Sequence, residues 1–240
     1  GIVEKQQGAD NLKWEVAKKF NVGIDANFFN DAIKVNVDFF RDTRDHIFQD
    51  RVTLPEFAGM VTYPKSNVGR MHSFGSDGNI SYFHKINKEM NFTVRANYTW
   101  SQNIVDYFEE NKLAYDYQSV TGMPYGVLRG YISEGLFKDE ADIRQSADQT
   151  AAFGVVRPGD IKYRDVNGDG VINKDDRVPL SYGNNVPRVM FGLGGEFNYK
   201  DFTVSLLFKG NTGVNYYRVG MGHNAGWIPF YNGEMGNVLK

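Results

Sequence analysis

Apolar and polar residues alternate along several stretches of this chain with a period of two, the repeat of an extended strand whose side chains point to opposite faces. In the segment KKFNVGIDANFF, Val22, Ile24, Ala26 and Phe28 fall on one side, and Asn21, Gly23, Asp25 and Asn27 on the other. After Asn30 and Asp31 the pattern resumes, with Ile33, Val35, Val37 and Phe39 opposite Lys34, Asn36 and Asp38. A two-residue hairpin turn is predicted between these runs.

MNFTVRANYTWS alternates more cleanly. Phe92, Val94, Ala96, Tyr98 and Trp100 oppose Asn91, Thr93, Arg95, Asn97, Thr99 and Ser101. The predicted partner is the more polar segment from Phe74 to Phe83, joined through a turn in HKINKE that ends at Glu89. Gly75 and Gly78 interrupt that partner and mark either a bulge or a crowded backbone approach. A third hairpin is written in VMFGLGGEFNYKDFTVSLLFKG, turning at Lys200 and Asp201. Phe191, Leu193, Phe197 and Tyr199, then Phe202, Val204, Leu206 and Phe208, form its apolar side. Gly192, Gly194, Glu196, Asn198, Thr203, Ser205 and Lys209 form the other, with Leu207 an exception.

The fold class is therefore all-β, built from antiparallel hairpins. Periodicity alone leaves a soluble sandwich and a membrane barrel open, because each buries one apolar face per sheet. Connection lengths separate them. The hairpins close through short turns, whereas the links from Phe40 to Phe74 and from Ser101 to Val189 are far longer than a compact domain needs. Outer-membrane barrels combine short periplasmic turns with long extracellular loops. Strands of about nine to eleven residues suit their apolar belt. Phe28, Phe29, Phe39, Phe40, Trp100, Tyr199 and Phe202, near strand ends, are candidate anchors at the membrane interfaces. Three hairpins are too few for such a barrel, so the expectation is a portion of a larger one.

The chain has 240 residues, 15% of them aromatic, with 26 Gly and no Cys, which excludes disulfide scaffolds, thiol nucleophiles and thiolate metal sites. Its net charge of -2, without a Lys/Arg cluster, gives no basis for nucleic-acid binding. It begins with Gly1 and shows no readable signal peptide, the expectation for a mature, tagged or excised chain. No run of about eighteen apolar residues predicts a membrane helix.

The connection spanning 102–187 is predicted to fold locally. Its sharpest motif, DVNGDGVINKDD, places Asp165, Asn167 and Asp169 at positions one, three and five of an EF-hand-like loop, with Gly170 at the turn and the Val171 carbonyl next. Asn173 stands where a ligand often acts through water, and Asp176 replaces the usual final Glu. These hard oxygen donors point to a structural Ca2+ site at Asp165, Asn167, Asp169, Val171, Asn173 and Asp176. The competing reading is a turn held only by side-chain to backbone hydrogen bonds.

FKDEADIRQSADQTAAF predicts a short helix beginning near Lys138 or Asp139. Tyr115, Tyr117, Tyr125 and Tyr131 are candidates for stacking on sugar rings or peptide groups. His46, His72, His84 and His223 are dispersed with no metal-ligand spacing, and no phosphate loop or catalytic triad signature emerges. The chain reads as a non-enzyme.

The ordered words ADNLKWEVAKKFNVGIDANFF, IKVNVDFFRD, SNVGRMHSFGSDGNISY, GMPYGVLRGYISEGLF and RPGDIKYRDVNGDGVINKDDRVPLSYGN, followed by PRVMFGLGGEFNYKDFTVSLLFKG, cover nearly the whole chain. Together they resemble the SusC/RagA family of TonB-dependent outer-membrane transporters, toward the C-terminal end of the barrel. The resemblance implies a barrel of about 22 strands with long extracellular loops, of which residues 1–240 form part. It further implies an N-terminal plug, a SusD-like surface lipoprotein as partner, energy delivered through TonB, outer-membrane lipid around the strands, and an oligosaccharide or peptide cargo. Location in the outer membrane of a Gram-negative bacterium follows. On the residues alone, a soluble calcium-stabilised carbohydrate-binding β module is the alternative, and a glycosidase a distant third.

Overall fold

The computed structural model describes residues 12–52, 64–181 and 186–215. Six strands form one antiparallel sheet: β1 (Val16–Phe28), β2 (Ile33–Asp50), β3 (Lys65–Lys85), β4 (Met90–Tyr107), β9 (Val189–Tyr199) and β10 (Phe202–Thr212). They are ordered β1-β2-β3-β4-β9-β10, so neighbours in the chain are neighbours in the sheet except where β4 pairs with β9 across the long connection. The sheet is open, with β1 and β10 as its edges.

The predicted hairpins form, with adjustments. Phe28 pairs with Ile33, so the first turn holds four residues, Phe29 to Ala32, rather than two. Phe29, Asn30 and Asp31 all take positive φ there, and the Ala32 amide donates to the Phe29 carbonyl at 3.2 Å. The third hairpin closes through Lys200 and Asp201 as expected, with Tyr199 opposite Phe202. Its turn is stitched to the preceding one, because the Lys200 amide donates to the Glu89 carbonyl at 2.9 Å.

Phe74 to Phe83 pairs with β4 as expected, from Phe74 opposite Gln102 to Phe83 opposite Thr93. Gly75 and Gly78 mark close approach, not a bulge. A Cβ at Gly75 would run into the Trp100 carbonyl and the Phe40 ring, and one at Gly78 would meet the Asn36 carbonyl. The register shifts lie elsewhere, between Arg44 and Ile47, between Ile47 and Phe48, and between Arg70 and Met71.

β2, β3 and β4 run to 18, 21 and 18 residues, well past the length a membrane belt requires. The β3–β4 ladder therefore absorbs Gln102 to Tyr107, and the long connection begins only at Phe108. The link from Phe40 to Phe74 shortens likewise, because both flanking strands continue into it.

Register joins the alternating patterns into two continuous faces. Across the sheet, Ile24, Val37, Gly78, Tyr98, Phe191 and Gly210 occupy one row, and Ala26, Val35, Ile80, Ala96, Leu193 and Phe208 the next. This apolar face stays uncovered: Val204 is 58% and Leu206 64% exposed. The opposite face is polar and tied laterally, with Asn21 donating to Asp38 at 3.2 Å and Thr203 to Asn198 at 2.7 Å. Phe40 lies on this polar face, opposite Gly75, so parity removes it from the candidate interface aromatics. Phe28, Phe39, Trp100, Tyr199 and Phe202 keep the apolar side, while Phe29 sits in a turn.

All three short turns lie at one rim and both long connections at the other. No helix among the described residues is long and apolar enough to cross a membrane, which says nothing of strands.

Candidate functional site

The connection between β4 and β9 is a small folded unit of its own. It contains the short strands β5 (Leu128–Gly130), β6 (Ser133–Leu136), β7 (Ile161–Tyr163) and β8 (Val178–Ser181), pairing as β5-β8 and β6-β7. The predicted helix is α1 (Glu140–Gln145), capped by Asp139, whose carboxylate accepts the Asp142 amide at 2.8 Å. A second, α2 (Thr150–Phe153), follows. Ile172 and Asp176 are fully buried here, and Phe137 and Gln149 are buried beside them. Gln149 bridges the unit, donating to the Ile161 carbonyl at 2.8 Å and accepting the Tyr163 amide at 3.3 Å.

The loop from Asp165 to Asp176 is wound by its own side chains. Asp165 accepts the Gly168 and Gly170 amides at 2.7 and 2.8 Å, Asn167 accepts Asp169 at 3.1 Å, and Asp169 accepts Val171 at 2.8 Å. Gly170 makes the sharp turn at φ 83, a conformation that strains any other L-residue. Asp176, 0% exposed, closes the loop by accepting the Val166 and Asn173 amides, each at 2.8 Å. Asn173 accepts the Asp175 amide at 2.7 Å. Hydrogen bonds from Val171 and Asn167 hold the Asp169 carboxyl below its ordinary pKa. No group of three or more His, Cys, Asp or Glu side chains converges as a metal cluster among the described residues.

This loop is docked to the first part of the connection. The Tyr117 hydroxyl donates to the Asp175 carbonyl at 2.6 Å, Gln118 donates to the Asp175 carboxylate at 3.0 Å, and Asn167 donates to the Tyr115 hydroxyl at 3.0 Å. Arg129, which no motif or spacing singles out, clamps the Tyr117 and Ser119 carbonyls. Upstream, Glu110 gathers the Val120 and Thr121 amides and the Ser119 hydroxyl, all at 3.0 Å. Burial works to raise the Glu110 pKa, but these hydrogen bonds outweigh it and the carboxyl falls below its usual range.

The four candidate tyrosines divide accordingly. Tyr115 and Tyr117 stack on each other at 5.3 Å, and Tyr131 packs against Phe153 and Tyr163 at 5.1 and 5.4 Å. Tyr125 alone of the four presents an open ring, 71% exposed, with its amide anchored to the Asn103 side chain at 2.7 Å. It overhangs a cleft of about 560 Å3 where the connection meets the polar face, lined among others by Phe40, Asp77, Ser101, Asn103 and Arg188. Periodicity carried the signal for Ser101, on the polar parity of β4, whereas Asn103 lies in the strand extension that the pattern leaves unmarked, and nothing local links either to Tyr125. His72 pairs with Asp106 at 2.7 Å, His46 sits at a β2 irregularity with φ 60, and His223 lies outside the described residues.

An open antiparallel wall, apolar on one face and polar on the other, with short turns at one rim and a folded connection at the other, is barrel architecture. Residues 2–232 match the family described as "TonB dependent receptor-like, beta-barrel". The chain belongs to this TonB-dependent receptor β-barrel family. Its members are receptors and transporters, not enzymes, and the all-β barrel fold expected from the residues is the family's fold.

TonB-dependent receptor P3 of Formosa agariphila is 24% identical over 94% of the chain, and TonB-dependent receptor SusC of Bacteroides thetaiotaomicron is 25% identical over 83%. Among solved structures, the RagAB peptide importer in its open-open state is similar in fold, with a TM-score of 0.59 and 20% identity over 88% of the chain. The chain spans about a quarter or less of these proteins: 23% of P3, 20% of SusC and 22% of the RagAB chain.

Proposed function

We propose that this chain is a wall segment of a TonB-dependent importer in the outer membrane of a Gram-negative bacterium, working with a SusD-like surface lipoprotein to take up oligosaccharides or peptides. The observation that carries the proposal is the pairing of a continuous, uncovered apolar face with a hydrogen-bonded polar face on the same six strands. A soluble carbohydrate-binding module would need a second layer over Val204, Leu206 and Phe208. Lipid supplies that cover directly.

In this reading the polar face borders the lumen, the rim bearing residues 108–188 is extracellular, and the cleft beneath Tyr125 meets cargo. An exposed aromatic ring beside amide, hydroxyl, carboxylate and guanidinium groups suits a ligand with flat apolar and polar faces, as sugars and peptide units have. The test is uptake by cells whose intact receptor carries Tyr125→Ala, using labelled oligosaccharides and labelled peptides. Reduced import of one class, with unchanged receptor level, is expected. Import of neither class by the unaltered receptor would overturn the proposal.

We propose in addition that the loop takes Ca2+ through Asp165, Asn167, Asp169 and the Val171 carbonyl, with Asn173 acting through water. The spacing of the oxygen donors and the turn at Gly170 support this. Asp176, with both carboxylate oxygens engaged by loop amides, would contribute charge and closure. Bound calcium would staple the loop and not take part in chemistry.

A further inference from the structure

The apolar face ends abruptly toward the rim that carries the long connections. Along β2 it runs Ile33, Val35, Val37, Phe39 and then changes to Arg41, Thr43 and Asp45. The neighbouring strands change one row further out. Phe20 stands opposite Arg41 and Arg41 opposite Phe74, while Lys18 stands opposite Thr43 and Thr43 opposite His72. An aromatic double row marks this edge, Phe39 with Trp100 in one row and Phe20 with Phe74 in the next, and Phe74 packs edge to face on Trp100 at 5.6 Å. Such a row is where acyl chains give way to headgroups.

Three cations stand on the outward face at or just beyond this row. Asp45 organises two of them: its carboxylate accepts from Lys18 at 3.4 Å and from Arg70 at 2.6 Å. Arg41 has no ion-pair partner among the described residues and is exposed. Lys18 remains 74% and Arg70 61% exposed at the side chain, so most of their donors stay available. The nearby Asp106 is engaged by His72 at 2.7 Å. Against Lys18, Arg41 and Arg70 stand the two carboxylates of Asp45 and Asp106, which leaves one excess positive charge where a headgroup sits. On a lipid-facing surface, phosphate is the matching anion.

We propose that Lys18, Arg41 and Arg70 form an outward-facing site for the phosphate groups of a phosphorylated lipid in the outer leaflet, with Asp45 as the positioning residue. This rests on the barrel-wall proposal, which fixes the apolar face as lipid-facing and the long-connection rim as external.

The test loads the intact receptor in detergent with an equimolar mixture of a diphosphorylated disaccharide lipid and its enzymatically dephosphorylated form. Native mass spectrometry then counts the retained lipids. The unaltered receptor should prefer the phosphorylated lipid by about tenfold or more, and Lys18→Gln with Arg41→Gln should bring the two lipids to parity. Lys34→Gln with Lys209→Gln, which removes the same charge from the polar face, should keep the preference. Equal retention by the unaltered receptor, or an undiminished preference in the outward pair variant, overturns the site. Loss of the phosphorylated lipid on adding millimolar inorganic phosphate would also overturn it, by reducing it to a simple anion site. A nitroxide at Ile24→Cys checks the barrel-wall proposal separately. Strong relaxation by oxygen supports the lipid-facing belt, and relaxation only by a water-soluble agent sinks that belt whatever the headgroup result.

Discussion

Val204 stands directly opposite Phe197 in the β9–β10 ladder, and both side chains belong to the uncovered apolar face. One residue further along, Ser205 stands opposite Glu196 on the polar face. Because side chains alternate strictly along a strand, a slip of one residue would exchange the two environments throughout the wall. The division into a lipid-facing and a lumen-facing surface therefore hangs on this register.

Gly75 on β3 is crowded from both sides, by Phe40 of β2 and Trp100 of β4. A methyl group there meets the Trp100 carbonyl and the Phe40 ring, and the carbonyl cannot retreat without breaking the ladder. Gly75→Ala should destabilise the barrel by about 1–3 kcal/mol, read as a lower unfolding temperature of the detergent-solubilised receptor. Gly195, with no atom within 4 Å of its virtual Cβ, supplies the control. Gly195→Ala should be nearly silent.

Asp176 closes the 165–176 loop from the inside. Asp176→Ala leaves the Val166 and Asn173 amides without their acceptor in a buried setting, at a cost of about 2–4 kcal/mol to local stability. Limited proteolysis should then cut within this loop first. Unchanged cleavage would show that the carboxylate is not what holds it.

The lowered pKa of Glu110 gives a pH dependence with a definite sign. A carboxyl depressed on folding stabilises fully above the ordinary glutamate value of 4.5, and that contribution fades as pH falls through the lower folded value. Hydrogen exchange corrected for intrinsic rates should show protection at Val120 and Thr121 holding near neutrality and weakening below about pH 4.5. Glu110→Gln should weaken it at every pH and abolish the acid-side transition.

Calcium occupancy has its own readout. Titration should raise exchange protection across the 165–176 loop in the unaltered receptor, and Asp165→Ala should remove the response. Equal protection with and without calcium would leave the Asx-type hydrogen bonds as the whole explanation of the motif.

The hairpins and their faces are legible in the sequence because lipid on one side and water on the other impose a strict two-residue period. Phe92 to Trp100 displays that period without ambiguity, and Phe202 to Phe208 displays it with Leu207 as the exception. The extensions of β2, β3 and β4 are not legible. Beyond the belt no apolar stripe is required, and backbone pairing alone carries Gln102 to Tyr107 along β3. The first turn is longer than its pattern suggests because Asn30 and Asp31 tolerate positive φ, whereas Phe29 adopting φ 55 has no compositional signal. The 165–176 loop announces itself through spacing. Its docking to Tyr117 and Gln118, 58 and 57 residues away, and the meeting of Tyr125 with Asn103, depend on tertiary folding that local patterns do not encode.

The most direct measurement exploits the absence of cysteine from the chain. Nitroxide labels placed singly at Val204→Cys and Ser205→Cys in the intact receptor, reconstituted in bilayers, can be compared for relaxation by dissolved oxygen and by a water-soluble nickel chelate. The label at 204 should respond mainly to oxygen and the label at 205 mainly to the chelate. The opposite assignment would contradict the register, and equal access of the chelate to both positions would contradict a membrane-embedded wall.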